Sequence, residues 1–257
     1  MTEQDEYAID AQSFRDALLE QRAMKLKGGL YHLTQVVMAY NSNHIEGSEL
    51  SPEQTRFIYE THSVSGDVRV DDVIETMNHF RMFDAMLDAL GTPLTVQRIL
   101  RYHEILKTGT SDADKEWFAV GGWKRLANVV GLRETTAPED VEAAIKALVD
   151  AYPAAMTFED ITDFHYRFES IHPFQDGNGR VGRIIMFGQC LANDILPFII
   201  LDKEKQFYYR GLTEYESEPG YLRDTFRHFQ DSYYAAFAKF VAEPGGPLTR
   251  SMAPRSG

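Results

Sequence analysis

Residues 171–183 read IHPFQDGNGRVGR, and this stretch decides what kind of protein the rest of the chain builds. Gly177, Gly179 and Gly182 spell G-x-G-x-x-G, which after a hydrophobic strand in a βαβ unit marks a dinucleotide-binding turn. What precedes it here, FEDITDFHYRFESIHPFQD, is charged and helical in spacing, so that reading fails. A glycine-rich turn entering a helix fits better. Such a turn offers unpaired backbone N–H groups to an anion, arranged as a concave nest, and Asn178 adds a side-chain amide donor. Arg180 and Arg183, three residues apart, occupy neighbouring positions of one helix side. Two cations in the first turns oppose the helix dipole, but they make sense where a polyphosphate is gripped, because guanidinium binds phosphate bidentately. Asp176 alone would repel phosphate; with Mg2+ it becomes a bridge to it. His172 is placed to act as a base. Singly, these residues read as a buried histidine, a solvated carboxylate and surface arginines. Together they describe a nucleotide-phosphate site with a metal ligand and a base.

Working outward, the chain reads as mainly helical. Apolar positions recur at helical spacing from about residue 10 to 26, and LYHLTQVVMAYNSNHIEG forms a second helix ending at Gly47. SPEQTRFIYE begins with Ser51 as N-cap, Pro52 at the first helical position and Gln54 closing a capping box. A long amphipathic helix follows over 71–90, then one capped by Thr95 that runs to about Lys107. WFAVGGWKRLANVVG, residues 117–131, breaks the pattern with paired glycines and β-branched residues, and predicts a small hairpin. Thr136 and Pro138 start another helix, Thr157 caps the next, and VGRIIMFGQCLAND continues the opening stretch as a very apolar helix. LPFII fits either a short strand or an extended link. Two more helices reach about residue 242, and the Pro/Gly-rich residues 243–257 predict a disordered tail.

Composition narrows the function classes. The 257 residues suffice for one large domain or two small ones, and 16 Phe and 13 Tyr supply ample core material. A formal net charge of −13 disfavours phosphate backbones, so no nucleic-acid partner is expected. The acidic start, MTEQDEYAID, is no secretory signal, no apolar run reaches membrane-spanning length, and the single Cys190 fits a reducing cytosol as a small buried apolar residue. These features predict a cytoplasmic protein with no membrane partner.

HPFQDGNGRVGR resembles the signature of the Fic family, H-P-F-x-(D/E)-G-N-G-R-x-x-R, at every fixed position. The resemblance covers roughly residues 70–215. It implies a mainly α Fic-type helical bundle with a small β-hairpin flap, and transfer of AMP from ATP to a Ser, Thr or Tyr hydroxyl of a target protein, the chain itself included. By position, His172 would deprotonate the hydroxyl. Asp176 would hold Mg2+ against the α- and β-phosphates. Gly177, Asn178 and Gly179 would cradle the anion, and Arg180 and Arg183 would grip the outer phosphates. A kinase-like branch of the family has Lys where this chain has Gly179, so Gly179 favours AMP transfer. Tyr208 and Tyr209 read equally well as base-contacting aromatics or as helix-face packing. The hairpin resembles the family's flap, which pairs with a target's backbone; Trp123, Lys124 and Asn128 are its candidate target-docking residues. Relatives often have G-x-Y-R where this chain has Gly121, Gly122, Trp123 and Lys124, so the aromatic and the cation are kept in kind only.

SNHIEG, residues 42–47, reads by itself as a helix end. Beside the motif above, it resembles the family's inhibitory S-x-x-x-E-G, here Ser42, Glu46 and Gly47. Glu46 would pair with Arg183 and fill the γ-phosphate space, as in the self-inhibited class with an N-terminal inhibitory helix. The expected organisation is an N-terminal helical region over 1–69 carrying that helix, a catalytic core over 70–215, a packed C-terminal helix over 216–242, and the tail. Other donors or directions (UMP transfer, phosphotransfer, removal of AMP) stay open, as does a non-catalytic scaffold. The oligomeric state is open too, with a homodimer allowed.

Overall fold

Four of the helices begin on a side-chain cap that the sequence supplies. The computed structural model describes residues 7–241 except 132 and 154; the expected tail over 243–257 lies outside the described residues. Helix α1 (Ala11–Ala23) opens on Asp10, whose Oδ1 accepts from Ser13 N at 2.7 Å. After α2 (Leu30–Ile45), α3 (Pro52–Thr61) starts with the reciprocal Ser51–Gln54 box. α4 (Val70–Asp88) leads to α5 (Val96–Lys107), capped by Thr95. α6 (Val141–Ala151) is entered through a short 3-10 turn at Pro138–Asp140. α7 (Phe158–Ile171) carries a second capping box, Thr157 with Asp160. α8 (Asn178–Ala192), α9 (Lys205–Glu214) and α10 (Gly220–Phe237) complete the bundle. Residues 196–200 are an extended link, with Leu196, Phe198, Ile199 and Ile200 buried.

The centre of the bundle is α8. It packs on α7, α4, α5 and α2, and every residue from Asn178 to Phe187 is buried. Ile184, Phe187 and Cys190 are each 0% exposed, within one core that also takes Phe83, Leu106, Phe168 and Phe226. Each large apolar side chain so buried contributes about 1.5–3 kcal/mol. The core thus anchors the helix at whose N-terminus the chemistry-bearing residues stand.

The hairpin is real but smaller and later than the sequence reading had it. Its strands are β1 (Val129–Val130) and β2 (Arg133–Glu134), antiparallel, with Val129 opposite Glu134 and Val130 opposite Arg133. The Gly121–Gly122 pair does not turn a hairpin; it bends the chain over α5. Gly121 adopts a φ of +68°, and a Cβ there would lie 2.9 Å from Glu104 Cβ. Only glycine meets both demands. Among the described residues no helix is long and apolar enough to cross a membrane.

Candidate active site

The turn between α7 and α8 is held in an unusual backbone conformation. His172 ends α7 with a left-handed φ of +51°, and its N–H donates to Phe168 O at 3.0 Å. A non-glycine residue in that region costs of order 1 kcal/mol and persists only where its surroundings enforce it. Asn178 fastens the turn two residues further on. Its Oδ1 accepts from Phe174 N at 2.7 Å and its Nδ2 donates to Phe174 O at 2.9 Å, with the residue 2% exposed. The amide expected to meet an anion instead closes the loop on itself. Gly177, at φ +86°, N-caps α8, and a Cβ there would press on Leu106 and His103.

Asp176 stands at the middle of a buried charge cluster. Its Oδ2 accepts from Lys107 Nζ at 2.7 Å and from Arg180 Nη2 at 2.8 Å, while the side chain stays 42% exposed. Burial pushes its carboxyl up, but Arg180 and Lys107 outweigh burial and hold it far below the usual range. Arg180 is also paired with Glu75. It is therefore committed to two carboxylates, not poised beside Arg183 as the spacing suggested. Lys107, Glu75 and Asp112 were not anticipated from sequence. A signal existed: Ile99, Tyr102, His103, Leu106 and Lys107 form one helical stripe of α5, and all are buried. A lysine on such a stripe needs partners.

His103 belongs to the same stripe and splices the flap to the turn. Its ring stacks on Phe174 at 4.0 Å between centroids and 3° between planes. Nδ1 accepts from Gly121 N at 3.0 Å, which leaves Nε2–H to donate to Asp176 O at 3.2 Å. Burial pushes its pKa down to about 3, so the ring is neutral. Trp123 stacks on the other side of this assembly, 5.6 Å from Phe174.

Lys124 and Asn128 turn inward, which corrects their assignment to a docking surface. Lys124 is 3% exposed, and its Nζ donates to Asn128 Oδ1 at 2.8 Å and Thr135 Oγ1 at 2.6 Å. Asn128 Nδ2 donates to Phe174 O at 3.1 Å. These bonds pin the flap against the α7–α8 turn. Burial without a carboxylate partner pushes the Lys124 pKa down to about 8. The flap exposes the apolar side chains Leu126, Val129 and Val130 beside the charged Arg125 and Glu134. His172 is partly buried beside Lys124, and burial first, then that ammonium, lowers its pKa, which keeps the imidazole neutral.

Ser42, Glu46 and Arg183 are in contact. Arg183 Nε donates to Ser42 Oγ at 2.9 Å, and Nη2 to Ser42 O at 3.0 Å and to Glu46 Oε1 at 2.6 Å. Gly47 takes a φ of +95° just past the end of α2. The Glu46 carboxylate lies directly over Gly179: a Cβ at 179 would be 2.2 Å from Glu46 Oε1 and 2.7 Å from Arg183 Nη1. A second carboxyl, Glu169, approaches Gly182, where a Cβ would be 2.4 Å from its Oε1. Burial drives its pKa up to about 8. The two tyrosines separate. Tyr208 is 1% exposed, hydrogen-bonded to His165 Nε2 at 2.8 Å, and packs as core. Tyr209 is 43% exposed and donates to Ile45 O at 3.3 Å, at the end of α2.

Residues 93–189 match the Fic/DOC family model. It is 26% identical over 183 residues to "Protein adenylyltransferase Fic" of Nematostella vectensis, covering 68% of this chain and 42% of that protein. A 53-residue segment is 47% identical to a "Probable protein adenylyltransferase" of Aquifex aeolicus, covering 21% of this chain and 16% of that one. The chain thus spans less than half the length of these curated relatives. Among solved structures, a Fic domain containing signaling protein from Bacteroides thetaiotaomicron superposes with a TM-score of 0.70 at 21% identity, covering 89% of this chain and 95% of that one. A Fic family protein from Desulfovibrio desulfuricans gives 0.68 at 22% identity, with 91% and 76% covered. These likenesses establish a Fic-type helical fold.

Proposed function

We propose that this Fic-domain chain transfers AMP from ATP to a Ser, Thr or Tyr hydroxyl of a target protein, and that Glu46 restrains it. The observation that carries the reading is a neutral His172 at the mouth of the Gly177–Gly179 turn, with Asp176 and Arg183 on the same turn and helix. The hydroxyl oxygen attacks the α-phosphorus, the bond from the α-phosphorus to the bridging oxygen breaks, and pyrophosphate leaves. The hydroxyl proton passes to the His172 imidazole, which the lowered pKa keeps free to accept it. The α8 N-terminus and Arg183 compensate charge on the phosphates. Asp176 fits a divalent ion: its Oδ2 is taken by two cations, yet the carboxylate is 42% exposed, so its outer edge stays accessible. Such an ion neutralises charge on the phosphates and on the departing pyrophosphate.

The space above Gly179 supports AMP transfer over phosphotransfer. The kinase-like branch that this chain resembles less has a lysine at this position, and with Glu46 Oε1 2.2 Å from where a Cβ would stand, a side chain at 179 would have to displace Glu46. Glu46 also supplies the restraint, since a γ-phosphate on Arg183 must displace it. Under this reading the region over 1–69 regulates and the core over 70–215 catalyses. The test is incubation of wild type, Glu46→Gly and His172→Ala with Mg2+ and ATP labelled at the α- or the γ-phosphate. Label on protein from the α position only, strongest in Glu46→Gly and lost in His172→Ala, is expected. Label from the γ position overturns the reading. So does label on protein in His172→Ala equal to that in wild type.

A further inference from the structure

Lys107 occupies an unusual place. It is 1% exposed, and its Nζ lies 2.5 Å from Glu75 Oε1, 2.7 Å from Asp112 Oδ2 and 2.7 Å from Asp176 Oδ2. Those three carboxylates bring oxygen atoms within 4.8 Å of one another, a spacing suited to a divalent cation. The lysine ammonium sits in contact with all three. It has three donors and meets three acceptors. We propose that Lys107 is a tethered cation that fills this carboxylate triangle, fixes Asp176 before nucleotide arrives, and confines divalent ions to the outer edge of Asp176.

The argument is one of competition for the same oxygens. Lys107 reaches the triangle on the buried stripe of α5, with its ammonium 5.4 Å from the Phe118 ring centroid, and its stem cannot leave without unpacking that helix. An ion entering between Glu75, Asp112 and Asp176 would have to expel it. Without Lys107, the triangle would face Arg180, which touches Glu75 and Asp176, and Lys115, which reaches Asp112 at 2.5 Å from the solvent side. Their mutual repulsion would then draw in an ion. Of these three carboxylates only Asp176 is more than a third exposed, so the nucleotide's phosphates must supply most of the affinity for a metal. The ion therefore arrives with the nucleotide. That consequence rests on the function proposed above; the occupancy of the triangle does not.

The test uses the whole chain without nucleotide, titrated with Mn2+ and followed by calorimetry and by the electron paramagnetic resonance of free Mn2+. Wild type is expected to show no saturable site until ATP is added. Lys107→Ala, which vacates the centre, is expected to bind one Mn2+ per chain about 10- to 100-fold more tightly than wild type. Lys107→Met, which fills the space without charge, should gain no such site. Tight nucleotide-free Mn2+ binding by wild type would overturn the proposal, as would a folded Lys107→Ala that binds no better than wild type. If Lys107→Ala does not fold, the wild-type arm decides alone. A second arm measures transfer in a Glu46→Gly background. There Lys107→Met should raise the Mg2+ concentration for half-maximal rate by about tenfold, with a smaller loss of kcat. Equal losses of kcat with unchanged Mg2+ dependence would mean a merely structural lysine. Absence of any transfer would sink the proposed function while leaving the Mn2+ result standing.

Discussion

Replacing Glu46 by glycine should make the protein less stable and more active, and the two magnitudes share one source. Arg183 is 4% exposed and has three hydrogen bonds, of which only one, at 2.6 Å, goes to a charged group. Its bonds to Ser42 survive the substitution. A charge-assisted bond of this kind is worth about 1.5–3 kcal/mol when buried. Glu46 is 28% exposed, and discounting for solvent leaves about 1–2 kcal/mol. Glycine adds up to about 1 kcal/mol in backbone entropy. A loss of about 1–3 kcal/mol lowers the melting temperature by about 2–12 °C for a domain of this size. The same 1–2 kcal/mol no longer opposes a phosphate on Arg183, so transfer at subsaturating ATP should rise about 5- to 30-fold. Scanning calorimetry with and without ATP, beside the α-label assay, measures both. ATP should stabilise Glu46→Gly more than wild type. A variant that melts lower but transfers no faster would refute the reasoning, because the pair would then be structural only.

Three further outcomes follow from the buried groups. Asn178→Ala leaves the buried Phe174 N–H and C=O without their partners, which costs about 2–3 kcal/mol, read as a fall in urea midpoint at constant m-value. His172 has its pKa lowered by burial and by Lys124, so the acid limb of kcat/KM should lie below pH 6.5 and move upward in Lys124→Met; a wild-type limb above pH 6.5 would contradict this. Burial lowers the pKa values of His79, His103 and His165 to about 3. The unfolded chain therefore takes up protons near pH 6.5 that the folded chain refuses, and stability is lost as pH falls from 6.5 toward 3. Each histidine contributes a slope of up to about 1.4 kcal/mol per pH unit. Glu169, raised to about 8, opposes one of them above its ordinary 4.5. Unfolding free energies at pH 7 and pH 5 test the sign, and equal values at the two would refute it.

Helices and their starts were legible because local chemistry decides them. Ser51 with Gln54 and Thr157 with Asp160 need no tertiary context to cap a helix. The turn into α8 was legible for the same reason: Gly177, Asn178 and Gly179 are consecutive, and the backbone there is local. The partners of its side chains were not. Asn178 could read as an anion donor because nothing local reveals that Phe174 will present both its N–H and its C=O. Lys124 looked like a surface cation because the oxygens that enclose it come from Asn128, Thr135 and Ile171, brought together only by the packed flap. The hairpin was misplaced because paired glycines signal a bend, not what the bend wraps around; here it wraps α5.

Under the proposed function, the distribution of exposure explains why a restraint would fall on Glu46 and not on Glu75 or Asp176. In this arrangement the three cations on α5 and α8 each already have an anion: Lys107 has Glu75, Asp112 and Asp176, Arg180 has Glu75 and Asp176, and Arg183 has Glu46. An incoming polyphosphate competes with a carboxylate at any of these three. Glu75 is 13% exposed and shared by two cations, so displacing it would strand both in the interior. Asp176 is shared in the same way. Glu46 has a single cationic partner and is 28% exposed, at the end of α2 where Gly47 already ends the helix. Swinging it outward returns one carboxylate to water and leaves Arg183 held by Ser42. Of the pairs around α8, this is the one a phosphate can replace without stranding a charge, and so the one at which a restraint can be reversible.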